Sequence, residues 1–202
     1  MKKITLLLVS LSVGLLTVHT AKAQAFEEGN SYISVGYGFP NLLGSIFKAY
    51  EEYNDYHASS TGPIYGKYEY AINDHIGVGA LVNYSSTKVT YQYDSFDDNG
   101  DPAVYGYEVK WSSFSILGRV NWHFGESDKF DPYFGVGMGY RSSSYTVTSD
   151  DPYLDNWEIG TLIPFGMEIT VGGRYFFTDA IGVYAELGFA KSPFQVGLTA
   201  KF

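Results

Sequence analysis

The stretch that decides the fold is Phe114-Ser115-Ile116-Leu117-Gly118-Arg119-Val120-Asn121-Trp122-His123-Phe124. Every second residue from Phe114 is apolar or glycine, ending in two aromatics. The intervening set is Ser115, Leu117, Arg119, Asn121 and His123. A period of two is the mark of a β-strand, because successive side chains point to opposite faces.

The same reading extends along the chain in both directions. Upstream, Ile33, Val35, Tyr37 and Phe39 oppose Ser34, Gly36 and Gly38 in the segment Ser31–Phe39; Ile64, Tyr68, Tyr70 and Ile72 oppose Lys67 and Glu69; and Val78, Ala80, Val82 and Tyr84 oppose Gly77, Gly79, Leu81 and Asn83. Downstream, Phe134, Val136, Met138 and Tyr140 oppose Gly135, Gly137, Gly139 and Arg141. Three further segments run from Phe165 to Phe177, Ile181 to Phe189 and Phe194 to Phe202, with Glu168, Thr170, Arg174, Tyr184, Glu186, Gln195, Thr199 and Lys201 on their polar faces. That makes eight strands. Each charge inside them, including Lys67, Glu69, Arg119, Arg141, Glu168, Arg174, Glu186 and Lys201, lies on the polar face.

A soluble sandwich would turn the apolar face inward and its charges to water. The connections separate that case from a barrel in lipid. Asn73-Asp74-His75, Gly125 to Asp131 and Thr178-Asp179-Ala180 are short, whereas Pro40 to Pro63, Ser86 to Val104 and Ser142 to Gly160 read as long and polar. Lys191-Ser192-Pro193 is short where the alternation calls for a long one. Short turns on one rim and longer ones on the other fit a membrane-spanning barrel. Aromatics on the apolar face fall into two groups, Tyr70, Trp122, Phe124, Tyr175, Phe177 and Phe202 near the short turns, and Tyr37, Phe39, Tyr84, Tyr140, Phe165, Phe189 and Phe194 near the long ones. Rings prefer the two interfaces, so these predict two girdles. The fold expected is all-β, an eight-stranded antiparallel up-and-down transmembrane β-barrel, closed because lipid tolerates no unpaired backbone.

Composition agrees. Lys2 and Lys3, the apolar run Ile4–Val18 and Ala21-Lys22-Ala23 read as a cleaved signal peptide over residues 1–23, leaving residues 24–202 as one barrel domain. The chain carries a formal charge of −9; the leader holds three lysines and no acid, so the mature part carries −12, which argues against nucleic acid as partner. With no cysteine, disulfides, thiolate metal sites and a cysteine nucleophile are excluded.

Three further stretches, Pro132-Tyr133-Phe134-Gly135-Val136-Gly137-Met138-Gly139-Tyr140, Gly173-Arg174-Tyr175-Phe176-Phe177-Thr178-Asp179 and the ending Gly197-Leu198-Thr199-Ala200-Lys201-Phe202, resemble the small eight-stranded outer-membrane proteins of the OmpA/OmpX type, within the outer membrane protein β-barrel domain family. The resemblance spans the expected mature chain. It implies a Gram-negative outer membrane, and it makes Gly197, Leu198, Ala200 and Phe202 a terminal signal for the barrel-assembly machinery. With nothing after Phe202, the tethering role of two-domain members is not expected.

Depth along the strands places Lys67, Arg119 and Glu186 at one level, Glu69 near Arg174, and Glu168 above them. These six are the expected lumen charge network, since buried charge survives only when paired. The connections are acidic: Glu51, Glu52 and Asp55; Asp94, Asp97, Asp98 and Asp101; Asp150, Asp151, Asp155 and Glu158. They could be solvated strand extensions, or could meet outer-membrane lipids, including lipopolysaccharide, through divalent cations. Asp97-Asp98-Asn99-Gly100-Asp101 has part of a calcium-loop pattern but lacks its spacing and distal Glu. Leu43, Ile46, Phe47 and Tyr50 recur at helical spacing after Asn41, within the first-loop segment 41–56. His57 with Ser59, Ser60 and Asp55 is the only outer-rim set with nucleophile chemistry; His75 and His123 fall near the other rim. No catalytic, cofactor-binding or metal residues are assigned. The leading expectation is a structural or surface-interaction barrel with a polar, plugged lumen. A small channel or carrier for ions or hydrophobic molecules comes second, and a lipid-modifying enzyme third.

Overall fold

The computed structural model describes residues 24–49, 56–97 and 99–202. The leader 1–23 and its cleavage point, Glu51, Glu52, Asp55 and Asp98, and the part played by Tyr50 lie outside the described residues, as does the side chain of Leu43.

Eight long strands run β1 (Ser31–Phe39), β2 (His57–Ala71), β3 (Ile76–Phe96), β4 (Pro102–His123), β5 (Phe130–Ser149), β7 (Phe165–Phe176), β8 (Ile181–Phe189) and β9 (Phe194–Lys201), with a four-residue strand β6 (Trp157–Gly160) between β5 and β7. Each long strand pairs antiparallel with the next, and β1 pairs with β9, so the sheet closes. Closure leaves no free edge in the spanning region.

Parity sets the two faces. Ile33, Val35, Tyr68, Tyr70, Val82, Tyr84, Ile116, Val120, Trp122, Met138 and Leu187 point out and are exposed, as membrane-facing residues must be. Ser34, Glu69, Asn83, Ser115, Arg119, Asn121, Glu168, Thr170, Arg174, Glu186, Gln195 and Thr199 point in and are buried. The aromatic girdles follow the register, with Tyr84 opposite Phe114 and Tyr140 opposite Phe165 at one end, Trp122 opposite Phe134 and Phe130 opposite Tyr175 at the other.

Two expectations about the connections are corrected. The spans Ser86–Val104 and Ser142–Gly160 are mostly strand: β3 and β4 pair without a break from Ile76/Trp122 to Phe96/Pro102, and β5 continues to Ser149, where β6 adds to it. Likewise β2 starts at His57, within the span Pro40–Pro63. The reason is solvent. Beyond Tyr84 the outward residues become Ser86, Lys88, Thr90 and Gln92, and the inward ones Val89, Tyr91 and Tyr93. The alternation persists with its polarity reversed once the strands leave lipid for water. These extensions form a flange on the long-hairpin side. Second, Asp131 belongs to β5 rather than to a turn, and it points into the lumen, 1% exposed.

The first connection carries α1 (Leu42–Lys48), whose first turn is capped by the Asn41 side chain accepting from Gly44 N–H at 3.2 Å. Asp97, Asn99, Gly100 and Asp101 lie in the β3–β4 hairpin turn. Asp97 Oδ1 accepts from the backbone N–H groups of Asn99 and Asp101 at 2.8 and 2.9 Å, which holds its carboxyl below the usual carboxylate range.

Residues 24–30 close the short-turn end. Ala25 and Phe26 are buried with Tyr32, Ala71 and Phe176. Lys201 Nζ donates to Gln24 O at 2.9 Å, and Tyr32 Oη donates to Ala25 O. Ser31 and Phe202 exchange both backbone hydrogen bonds, at 2.8 and 3.0 Å.

Candidate functional site

An eight-stranded barrel has an interior just wide enough for side chains to fill it. Here the filling is ionic, in two clusters. In the upper one Arg119 of β4 meets Glu168 of β7 at 2.6 Å and Glu186 of β8 at 3.0 Å, and Lys67 of β2 meets Glu186 at 2.8 Å. Thr170 and Asn121 accept from the same guanidinium at 2.8 and 2.7 Å, and Gln195 accepts from Lys67 at 2.8 Å. In the lower one Arg174 of β7 bonds Glu69 of β2 and lies 3.5 Å from Asp131 of β5. His123 bridges the two acids, its Nε2 2.8 Å from Glu69 and its Nδ1 2.6 Å from Asp131. Carboxylates only accept, so the imidazolium, donating from both nitrogens, satisfies this arrangement.

Tyr133 links the clusters. Its hydroxyl donates to Glu186 at 2.7 Å, and its ring lies 5.0 Å from the Arg174 guanidinium. Tyr32 stacks beneath Arg174 at 4.6 Å and Tyr184 beside Lys67 at 4.5 Å. Small residues make the space: a Cβ on Gly135 would stand 2.3 Å from Arg119 Nη2, and one on Gly137 3.1 Å from Glu168 Cγ. The space remaining among Lys67, Glu69, Arg119, Tyr133, Arg174 and Glu186 is about 10 Å³.

All six residues of the expected network thus face one another, in two groups rather than one. The reading from sequence left out His123, Asp131, Tyr32, Tyr65 and Tyr133. Four of these five have inward parity in strands already identified, and that parity was the available signal; Asp131 was hidden by its assignment to a turn. Below the lower cluster the Phe26 ring stacks on His123, centroids 3.4 Å apart and planes 4° apart. Nothing periodic marks residues 24–30 as an internal segment.

Above the upper cluster comes an apolar layer of Tyr65, Leu81 and Leu117. It is followed by an outer vestibule of about 270 Å³ lined by Asn41, Ser85, Trp111, Ser113, Arg141 and Lys191 among others. On the flange, Tyr91 stacks on Tyr107 at 5.1 Å, and Tyr93 donates to Asp151 at 2.5 Å. Several of the acids are already engaged: Asp150 accepts from Gly106 N–H at 2.6 Å, and Glu158 accepts from Ser144. Among the described residues no three acids or histidines converge as a metal site. His57 sits on β2 opposite Thr90, in a strand rather than a loop, and His75 lies in an exposed turn closed by Asn73. At the C-terminus Leu198 and Phe202 face outward, exposed.

The family model described as outer membrane protein β-barrel domain matches residues 8–187. No curated protein matches the sequence. Among solved structures, Ail, the attachment invasion locus protein of Yersinia pestis, in complex with the heparin analogue sucrose octasulfate, is similar at 12% identity and TM-score 0.47, covering 87% of this chain and 99% of that one. The N-terminal β-barrel domain of Pseudomonas aeruginosa OprF is similar at 14% identity and TM-score 0.43, covering 87% and 99%. Pseudomonas aeruginosa OprG follows at 12% identity and TM-score 0.44, covering 89% and 99%.

Proposed function

Because this chain belongs to the outer membrane protein β-barrel domain family, and is an integral barrel of the Gram-negative outer membrane, we propose that it serves a structural and surface-interaction role, with a lumen closed to solutes. One observation carries the closed lumen: the void left between the ionic clusters is about 10 Å³, room for a single water at most. A hydrated ion has no continuous path through it. The surface role is supported by the flange. From Ser85 to Phe96 it extends on the order of 35 Å along the strand, with Trp157 and Ile159 exposed at its edge.

On this reading the partners are outer-membrane lipids and molecules met outside the cell. Acids of the flange such as Asp94, Asp101 and Asp155 would approach lipopolysaccharide phosphates only with divalent cations between them. During biogenesis the ending Gly197, Leu198, Ala200 and Phe202 would be read by the barrel-assembly machinery.

The test is solute flux through liposomes holding refolded residues 24–202, after heat-dependent gel mobility has shown a folded barrel. Efflux of potassium and of a small sugar should equal that of empty liposomes. Flux well above that baseline would sink the closed-lumen reading and make the protein a channel.

A further inference from the structure

Among the described residues, the outer vestibule holds two cations with no acid to answer them. Arg141 reaches it from β5, spending its Nε on Ser115 Oγ at 3.2 Å, while its Nη2 is buried with no partner. Lys191, from the β8–β9 connection, donates to Ser113 O at 2.9 Å. Among the described residues neither makes an ion pair within 4.0 Å, and no Asp or Glu lines the pocket. Elsewhere in the lumen every Lys, Arg and His of the two clusters faces a carboxylate. Lys201, at the short-turn end, is answered by the Gln24 carbonyl instead, so the vestibule is where two cations share one pocket in a chain that is strongly acidic.

The rest of the lining consists largely of hydrogen-bonding groups. Asn41 Nδ2 is also buried without a partner among the described residues, while its Oδ1 accepts from Gly44 N–H and Thr87 Oγ1. Ser85, Thr87, Ser113 and Ser143 contribute hydroxyls. Burial of unsatisfied donors, and of like charges together, costs free energy that a ligand of the right sign would recover. Burial and the Arg141 guanidinium together push the Lys191 ammonium down to about 7, the shift expected where a counter-anion is missing.

We infer that the outer vestibule is a binding site for a small oxyanion, phosphate, sulfate or carboxylate, held between Arg141 Nη2 and Lys191 Nζ with Asn41 Nδ2 and the serine hydroxyls completing its shell. At about 270 Å³ the pocket accommodates such a group with some of its water. The layer of Tyr65, Leu81 and Leu117 forms its floor: on β2, β3 and β4 these residues lie between the vestibule residues and the ionic ones. The site therefore captures an anion from the long-hairpin side without passing it on. Because the cations face the inside of the barrel rather than the surrounding lipid, the expected ligand is a soluble anion.

Trp111 lines the pocket and reports on it. Refolded protein in phospholipid-free detergent, with Trp122 and Trp157 replaced by Phe, is titrated with sodium sulfate and with inorganic phosphate against sodium chloride of equal ionic strength. Saturable fluorescence change with the oxyanions is expected, weakened at least tenfold in Arg141→Gln and in Lys191→Met. Ser85→Asp, which supplies a carboxylate from within, should fold and lose the response. No saturable response, or one unaltered by all three variants, overturns the site. A response that appears only after adding a lipid with a phosphate headgroup also overturns it, by making the ligand a lipid rather than a soluble anion.

Discussion

Arg119 donates from all three nitrogens, in five hydrogen bonds to Asn121, Glu168, Glu186 twice, and Thr170. Such a group cannot be removed quietly, because Glu168 stays behind as a buried carboxylate without its cation, while Glu186 keeps Lys67 and Tyr133. Arg119→Ala should lower stability by about 3–5 kcal/mol, the usual cost of breaking a buried pair, read from guanidinium unfolding in micelles. A loss under 1 kcal/mol would mean that water replaces the guanidinium at no cost. Lys191 behaves in the opposite sense. Unfolded, it titrates near 10.5; folded, at about 7. Between those values the unfolded state binds more protons, so stability rises with pH across that window, and below 7 the full cost of burying the charge is present. Lys191→Met should therefore stabilise the protein more at pH 6 than at pH 9.5 in buffers free of oxyanions. An equal gain at both would place Lys191 in solvent.

At the scale of the element, sequence parity is informative where lipid enforces it and misleading where lipid ends. In the bilayer the outward set must be apolar, so β1, β8 and β9 could be delimited to within a residue. Above Tyr84 and Phe114 no solvent difference marks the strand end. Tyr91, Tyr93, Tyr105 and Tyr107 still alternate, yet with their rings on the inner face, and the first two fall within the span Ser86–Val104 that reads as a connection. The segment 24–30 carried no period at all; its place was set by a cavity at the short-turn mouth that only the closed barrel creates. Phe26 fills that cavity against His123 and Tyr32. Phe26→Ala should cost about 3–5 kcal/mol, as for other buried phenylalanines, in the same unfolding assay. If the cost is negligible, the segment rests on the barrel rather than forming part of its core.

For the whole molecule, the division at the polarity reversal separates a barrel from its flange. Spanning strands are closed by eight pairings, whereas the flange depends on β2–β6 alone. Replacing residues 87–111 by a two-residue turn should leave a barrel that still folds and still shifts on heating in a gel. Failure to fold would show that the long β3–β4 hairpin is needed for closure. Inward parity and depth along the strands single out the six lumen charges in the sequence; their division into two clusters depends on Asp131 and His123, whose role rests on three-dimensional register. That division also fixes how the interior responds to an electric field. Lys67 and Arg119 balance Glu168 and Glu186, and Arg174 with the His123 imidazolium balances Glu69 and Asp131. A potential of 100 mV does about 2.3 kcal/mol of work on each elementary charge that crosses it. Groups of zero net charge receive none of that work on moving together, so the two clusters form no voltage sensor, and a potential across the outer membrane leaves their ion pairs in place.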